Sequence, residues 1–576
     1  MKASGGESTW KFWAPPAIVI GLVMFVVPLW IHFPLLDPDE GLHAAIAQEM
    51  VDRGDWVTPR FLGEPFLDKP ILYFWAQAVS LKLFGFNEAA VRLPGLMFGL
   101  FGAVATGLLA WRLFEASTGW IAGMLYATTI LPTALAQAAS HDVALIPWIN
   151  LALLLLWESQ GGAKGDSPLL PERPEGCCAQ KGTVSFSAAC IVGTGFFVGL
   201  LMLTKGLAGV AAVGIAYGGY RLITRRIGFV LVVQGAVVLA VAALVAAPWY
   251  IALENQNPGY LHYYFVDRHL LGVATESQPH GNQPWWYYLP LLIGGGLPWI
   301  GYLPPLLRRK ESRSPIGEET APPHSDPSPV PFLWCWLIGW LIFLTLAQSK
   351  LATYLWPAFP AVAILAAASW SRFFAGDGGN SLLAPLGEAA RRAFARTFVW
   401  SSWSGPIVLP AAVLVLQMLL EERFTWPVWA ATAVVAAAAP LPLIPWRAGR
   451  PRAALVAAAF SMAAQFMIVM TLILPQAALR YTARDLAEHL NHRQRMPQRL
   501  LVVEERIGSV VFYLRADLRA GLEADRLSRL SLENPIELSP GDAVAVPRRK
   551  LEKAVETLGL EGVPFESAEK YCVFDK

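Results

Sequence analysis

The sequence predicts an all-α polytopic membrane protein that ends in a small α/β domain outside the membrane. Three observations predict it. Hydrophobic residues fill 55% of the 576 positions and charged ones only 15%, where a soluble chain carries about 25% charge. Apolar runs of spanning length recur from residue 14 to residue 475. After Pro475 those runs stop, and short charged segments with mixed helix and strand signals take over. The chain therefore divides into a membrane part, 1–475, and a C-terminal part, 476–576.

The apolar runs lie near 14–36, 94–113, 119–139, 142–158, 186–203, 207–223, 228–250, 286–307, 331–348, 353–370, 398–420, 426–446 and 453–475. They give about thirteen transmembrane helices, each long enough for a hydrocarbon core of roughly 30 Å. The first run is too long for a signal-peptide core and lacks a small-residue cleavage site, so it reads as an uncleaved span. The stretch from Ile71 to Phe86 is shorter and holds Gln77, Ser80 and Lys82. It fits either a short span or a helix lying at the interface.

Charge separates the two. If 71–86 lies flat, one side of the membrane receives Lys2, Lys11, Arg112, Arg221, Arg225, Arg226, Arg308, Arg309, Lys310, Arg391, Arg392, Arg396, Arg447, Arg450 and Arg452. Cytoplasmic loops are enriched in Lys and Arg, so this side and the N-terminus are expected inside. The other side receives the loop 37–93, the turns at Asp142, Lys205 and Lys350, the loop 251–285, and the tail. In the tail, Tyr481–Asn491 and Arg549–Leu558 read as amphipathic helices. Leu501–Glu504, Asp542–Val546 and Lys570–Phe574 read as strands. The stretches 159–185 and 311–330 are Gly/Pro/Ser-rich linkers.

The residues able to carry chemistry gather on that outer side. Asp37-Pro38-Asp39-Glu40 opens an amphipathic helix in which Leu42, Ala45, Ile46, Glu49 and Met50 follow at helical spacing. Asp39 there is either an N-cap or a general base for a hydroxyl. Lys69 precedes the apolar stretch 71–86. It either snorkels to the interface or meets a lipid phosphate, where low dielectric strengthens the pair. Ser140-His141-Asp142, Thr204-Lys205-Gly206 and Ser349-Lys350-Leu351-Ala352-Thr353-Tyr354 place more charge at span ends. Each alone reads as an interface anchor, and Lys69, Lys205 and Lys350 together suggest an anion site. His269 and His280, in 251–285, could join Asp68 or Glu40 around a divalent metal, though the spacing is not diagnostic. Five cysteines, Cys177, Cys178, Cys190, Cys335 and Cys572, form neither a disulfide framework nor a zinc pattern.

The ordered set Asp39-Glu40, Glu49-Met50, Gly54-Asp55-Trp56, Pro59, Lys69-Pro70, Tyr73, Trp75, Phe84-Gly85, Glu88 and Arg92-Leu93-Pro94 resembles the first outer loop of bacterial GT-C glycosyltransferases. The resemblance is to the protein-mannosyltransferase-like group that includes the lipid A aminoarabinose (ArnT-like) transferases. Thr204-Lys205-Gly206, Pro248-Trp249-Tyr250, Asn257-Pro258, His269, Pro298-Trp299 and Ser349 to Tyr354 match later motifs in order, so the likeness runs over about residues 15–370. It implies a GT-C fold with juxtamembrane helices in the first outer loop. It implies inverting transfer of a sugar from a polyprenyl (undecaprenyl) phosphate to a lipid, glycan or protein hydroxyl, at the periplasmic face of a bacterial inner membrane. By the same resemblance, Asp39, with Glu40 beside it, is the catalytic carboxylate. Lys69 and Tyr354, supported by Lys205 and Lys350, contact the carrier phosphate. Asp68 and His269 stand where relatives can hold a metal, and His141 and Asp142 are further candidates. Two departures bear on the donor pocket. Leu42-His43 stands where the aminoarabinose enzymes carry Arg-Tyr, and Gly272-Val273 stands where they carry an Arg.

The net charge of +2 gives no basic field, so nucleic acid is not a partner to propose. A multi-span transporter and an envelope polysaccharide polymerase or ligase remain as alternatives. Against a transporter, the sequence shows no pair of similar halves, and its charges sit at one face rather than along the core.

Overall fold

The computed structural model describes residues 9–160, 179–271, 283–303, 329–375, 385–420, 424–493, 496–505 and 507–575. Most of the linker stretches expected at 159–185 and 311–330 lie outside these residues. Among the described residues, nine helices are long and apolar enough to cross a membrane, from Trp10–Trp30 to Pro451–Tyr481. Two more apolar segments are bent pairs, Ala116–Ala127 with Ile130–Gln137 at 60° and Glu388–Trp403 with Gly405–Met418 at 48°. Leu207–Ile223 is a shorter apolar helix. The chain is a multi-pass membrane protein.

The run expected to span at 286–307 breaks instead. It forms a helix over Tyr288–Gly295 and a 3-10 turn over Trp299–Tyr302. Gly294-Gly295-Gly296 and Pro298 supply the break, because glycine is poorly helical and proline has no N–H to donate. The expected span at 453–475 does not stop at Pro475. Its helix runs on through a π-helical turn to Tyr481.

Two helices of the loop after the first span lie outside the set of spans. Helix α1, Asp39–Arg53, buries Ala44, Ala45, Ile46, Ala47 and Met50. It ends at Gly54, whose φ of 69° gives the left-handed turn that glycine adopts without strain. Helix α2, Leu72–Phe84, has 13 residues. At 1.5 Å per residue that is about 20 Å, short of a hydrocarbon core. Helix α3, Glu88–Leu113, begins the next span, and the Asn87 side chain caps it by accepting from Ala90 N.

The tail folds around a five-stranded sheet. Its strands are β1 Arg499–Val503, β2 Leu527–Leu530, β3 Asp542–Pro547, β4 Phe565–Ala568 and β5 Tyr571–Asp575, in the order β2-β1-β3-β5-β4. Strand β1 pairs parallel with β2 and with the central strand β3, and β5 runs antiparallel to β3. Both faces are covered, which is why β3 is buried at every position. Helices Arg484–Asn491 and α4, Gly508–Tyr513, cover one face, and Leu551–Leu558 covers the other. Ala45 of α1 and Leu62 belong to the first of these cores, so the sheet domain and the outer loop share one apolar cluster.

That sharing is tight. A Cβ added to Gly508 would sit 2.3 Å from Leu42 N and 2.6 Å from Gly41 C. Backbone therefore packs directly on backbone where α4 meets α1, and only glycine permits it. Ser509 N donates to Asp37 Oδ1 at 3.1 Å, and Ser509 Oγ donates to the same carboxylate. Leu35 N donates to the Tyr513 hydroxyl at 2.8 Å, and Gln48 Nε2 to Phe512 O at 3.3 Å.

Candidate functional site

The outer loop is anchored by one buried ion pair. Arg92, on α3, donates to both carboxylate oxygens of Glu40, Nε to Oε1 at 2.8 Å and Nη2 to Oε2 at 2.7 Å. Its remaining donors reach Phe33 O and Pro34 O at 2.8 and 3.1 Å, and Glu40 Oε2 also accepts from Leu36 N at 2.9 Å. Both side chains are buried, 5% and 4% exposed. The sequence grouped Glu40 with Asp39 as a catalytic carboxylate, but the geometry separates them. Glu40 faces inward and its oxygens are fully engaged by protein donors. Asp39, one residue earlier, is exposed in the first turn of α1. Asp39 is not the cap of that helix: Pro38 holds the cap position, with no side-chain bond.

One turn further on, His43 is buried in the wall of the site. Its Nδ1 lies 3.0 Å from Ala139 O and its Nε2 lies 3.1 Å from Lys69 Nζ. A carbonyl has no proton and an ammonium has no lone pair. The arrangement therefore fixes a neutral ring with the proton on Nδ1, accepting from Lys69 at Nε2. Burial first, and the Lys69 charge second, hold the His43 imidazole well below its ordinary pKa. Burial likewise lowers the Lys69 ammonium, while Asp142 and Asp39 oppose that shift. Among the described residues no carboxylate lies within ion-pair distance of Lys69.

The next shell comes from the span ends. Lys205, at the C-terminal end of its helix, pairs with Asp142, and its ammonium lies over the Tyr354 ring, 4.4 Å from the centroid. The Thr353 side chain also bonds Asp142. His141 packs against His43 and Phe74, both with ring centroids 4.5 Å away, and against Tyr73 at 4.7 Å. Both His141 ring nitrogens and the Tyr73 hydroxyl are buried and have no hydrogen-bond partner among the described residues. Asp39, Asp68, Asp142 and Lys205 are all near enough to Lys69 to act on its charge.

Two expected residues are engaged differently, and the side chains of two more lie outside the described residues. Lys350 turns to its own backbone, Nζ donating to Ala347 O at 2.7 Å, and so caps the preceding helix end. Asp68 already has a counter-ion. Arg268 Nη1 and the Tyr263 hydroxyl both donate to its Oδ1 at 2.8 Å. The side chain of His269 and all of His280 lie outside the described residues. Among those described, no three His, Cys, Asp or Glu side chains are grouped to hold a metal, and no step below runs through one. In the sequence His43 stands out only as a departure at the donor pocket and Arg92 only as part of a motif, and Arg268 has no assigned role. A histidine on a half-buried helix face and an arginine at a span start carry no spacing signal of their own. Only the fold brings residues 43, 69, 92 and 139 together.

Fold and site thus define a multi-pass membrane protein whose outer-loop helices and span ends converge on one half-buried cationic cluster beside an exposed carboxylate. Comparison places it more closely. Residues 68–160 match the model of the dolichyl-phosphate-mannose-protein mannosyltransferase family. An undecaprenyl phosphate-alpha-4-amino-4-deoxy-L-arabinose arabinosyl transferase of Aeromonas salmonicida is 33% identical over 365 residues, 62% of this chain and 59% of that protein. A second protein of that description, from Pseudomonas fluorescens, is 30% identical over 420 residues, 72% of this chain and 67% of its own length. The crystal structure of ArnT from Cupriavidus metallidurans bound to undecaprenyl phosphate superposes with a TM-score of 0.74 at 22% identity, covering 98% of this chain and 97% of that one. The chain belongs to the ArnT-like family of undecaprenyl phosphate-aminoarabinose arabinosyl transferases, and it spans less than two thirds of the length of the Aeromonas relatives it matches.

Proposed function

We propose that the chain is a membrane glycosyltransferase that moves a sugar from a polyprenyl phosphate to a hydroxyl of a lipid, glycan or protein, with inversion. The observation that carries this reading is Lys69: an enclosed ammonium held by a neutral imidazole, with no carboxylate paired to it, beside an exposed Asp39. An incoming phosphate supplies the counter-charge that the protein withholds. As the bond from the anomeric carbon to the phosphate oxygen breaks, negative charge builds on that phosphate. A cation fixed there stabilises the transition state more than the ground state. The acceptor oxygen attacks from the opposite face, its bond to the anomeric carbon forms, and its proton passes to Asp39. The polyprenyl phosphate leaves. Lys205 and Tyr354 extend the phosphate site, and Asp142 keeps Lys205 in place.

The membrane setting supports a lipid donor. An apolar groove between α2 and α3 is lined by Val79, Leu83, Leu93, Met97, Phe98 and Phe101. Phe98 packs on Tyr73, with centroids 6.2 Å apart, and Tyr73 packs on His141, so the groove leads toward the cluster and suits an isoprenoid chain. The sugar in the relatives' description makes an amino-pentose the first to test, and the first-loop resemblance makes lipid A the first acceptor. The basic loops put the N-terminus in the cytoplasm and the cluster and tail outside, on the periplasmic side of an inner membrane. The chain divides near residue 475 into a membrane domain and a periplasmic α/β domain that carries no chemistry.

Binding of undecaprenyl phosphate and turnover with its sugar-charged form, measured in nanodiscs, test the roles. Lys69→Ala weakens lipid binding. Asp39→Asn leaves that binding nearly intact and lowers turnover at least about 10²-fold. Loss of lipid binding in Asp39→Asn, with full activity in Lys69→Ala, contradicts the assignment.

A further inference from the structure

We infer that His43 is a positioning residue for Lys69: its ring accepts one ammonium hydrogen bond and so aims the remaining charge at the carrier phosphate. The inference rests on the phosphate role of Lys69 proposed above. Three observations carry it. Nδ1 is tied to Ala139 O at 3.0 Å, at the turn leading into the His141–Ser159 span. Nε2 is thereby left as a lone pair, 3.1 Å from Lys69 Nζ. The ring is 1% exposed and walled by His141 and Phe74, so it cannot swing away. Lys69 sits on a flexible four-carbon stem, and a fixed acceptor orders that stem before the lipid arrives.

The choice of a neutral partner matters. A carboxylate paired with Lys69, as Asp142 is with Lys205, would offset its charge. An imidazole orders the ammonium without neutralising it. The groups facing the pair are His141 and Asp142 at the start of one span, Lys205 at the end of another, Tyr73 on α2, and Asp39 and Asp68 on the outer loop. Protonation of His43 would set an Nε2–H against the ammonium in their midst.

Side-chain length separates this role from packing. In His43→Gln the amide oxygen reaches the place of Nε2 and keeps an acceptor for Lys69. In His43→Asn the amide reaches only the place of Nδ1, keeping the Ala139 bond and losing Lys69. His43→Phe keeps the ring and loses both. Affinity of the full-length protein for undecaprenyl phosphate should fall about tenfold in His43→Asn and His43→Phe, the effect of one hydrogen bond. His43→Gln should stay within about threefold of the parent. In a Lys69→Ala background, His43→Asn should change nothing further, because the group it positions is gone. The inference is overturned if His43→Asn binds like the parent, if His43→Gln is as weak as His43→Asn, or if the loss persists undiminished without Lys69. If Lys69→Ala alone binds the lipid normally, the phosphate reading falls instead.

Discussion

Removing Glu40 tests how the outer loop is held. Glu40→Ala deletes three hydrogen bonds to its carboxylate, two from Arg92 and one from Leu36 N, and strands the Arg92 guanidinium at 5% exposure. Breaking a buried pair by removing one partner costs about 3–5 kcal/mol, since the remaining charge is left without compensation. Arg92 would keep Phe33 O and Pro34 O, which places the expected cost at the lower part of that range. At about 1.4 kcal/mol per tenfold, 3 kcal/mol raises the opening constant of α1 by roughly two orders of magnitude. Hydrogen exchange of the α1 backbone amides in nanodiscs reads this directly, with the Arg112 end of α3 as an internal control. Glu40→Gln, which retains acceptor and shape, should accelerate exchange by less. The double variant Glu40→Leu with Arg92→Met should recover much of the loss, because no buried charge remains. Turnover should fall with α1 order, since Asp39 begins that helix. If exchange in Glu40→Ala stays within about threefold of the parent, the pair does not hold the loop and the reasoning fails.

Two further outcomes concern the docked tail. Gly508→Ala drives a methyl to 2.3 Å from Leu42 N. Backbone cannot yield as a side chain can, so the contact between α4 and α1 should open at a cost of about 1–3 kcal/mol. Thermal unfolding and proteolysis of the tail report it, and an unchanged melting temperature would refute it. Asp37, whose carboxyl is pushed up to about 7 by burial against Ser509, holds a proton when docked that it gives up when undocked. Docking is therefore strongest in acid, weakens as pH rises from about 4, and loses this contribution above 7. Asp37→Asn should abolish that slope and protect the tail at pH 8; equal pH dependence in both proteins would show that another group is responsible.

Much of this architecture was legible because a hydrocarbon core demands length and apolarity, and both are visible residue by residue. The run at 286–307 misleads because its composition is apolar while its three consecutive glycines and Pro298 prevent one helix. In the tail, the buried strands at 499–503 and 542–547 are dense in Val, Leu and Ala, and 571–575 in aromatic and β-branched residues, so they stand out. The edge strand Phe565–Ala568 is mostly exposed and carries no strand pattern, and the six-residue helix Gly508–Tyr513 is too short to show a helical period. At the site, the lysines were legible as charges at span ends. Their separation was not: Lys350 and Lys69 differ only in which partner the fold delivers. Glu40 and Asp39 are neighbours in sequence, yet successive helical residues point about 100° apart, so one became an anchor and the other faces outward.

The bonds between the outer loop and the tail also carry a statement about time. Asp37 N donates to Tyr481 O, the Asp37 side chain accepts from Ser509, and Leu35 N donates to Tyr513. These contacts join positions as much as 478 residues apart. During synthesis the segment that presents Asp39 is made among the first, and its partners are made among the last. Until residue 513 has been added, the loop that presents Asp39 lacks these partners. A chain stopped short of residue 513 should therefore leave that loop without its far wall, so the order of an early segment is tied to one of the last to be made.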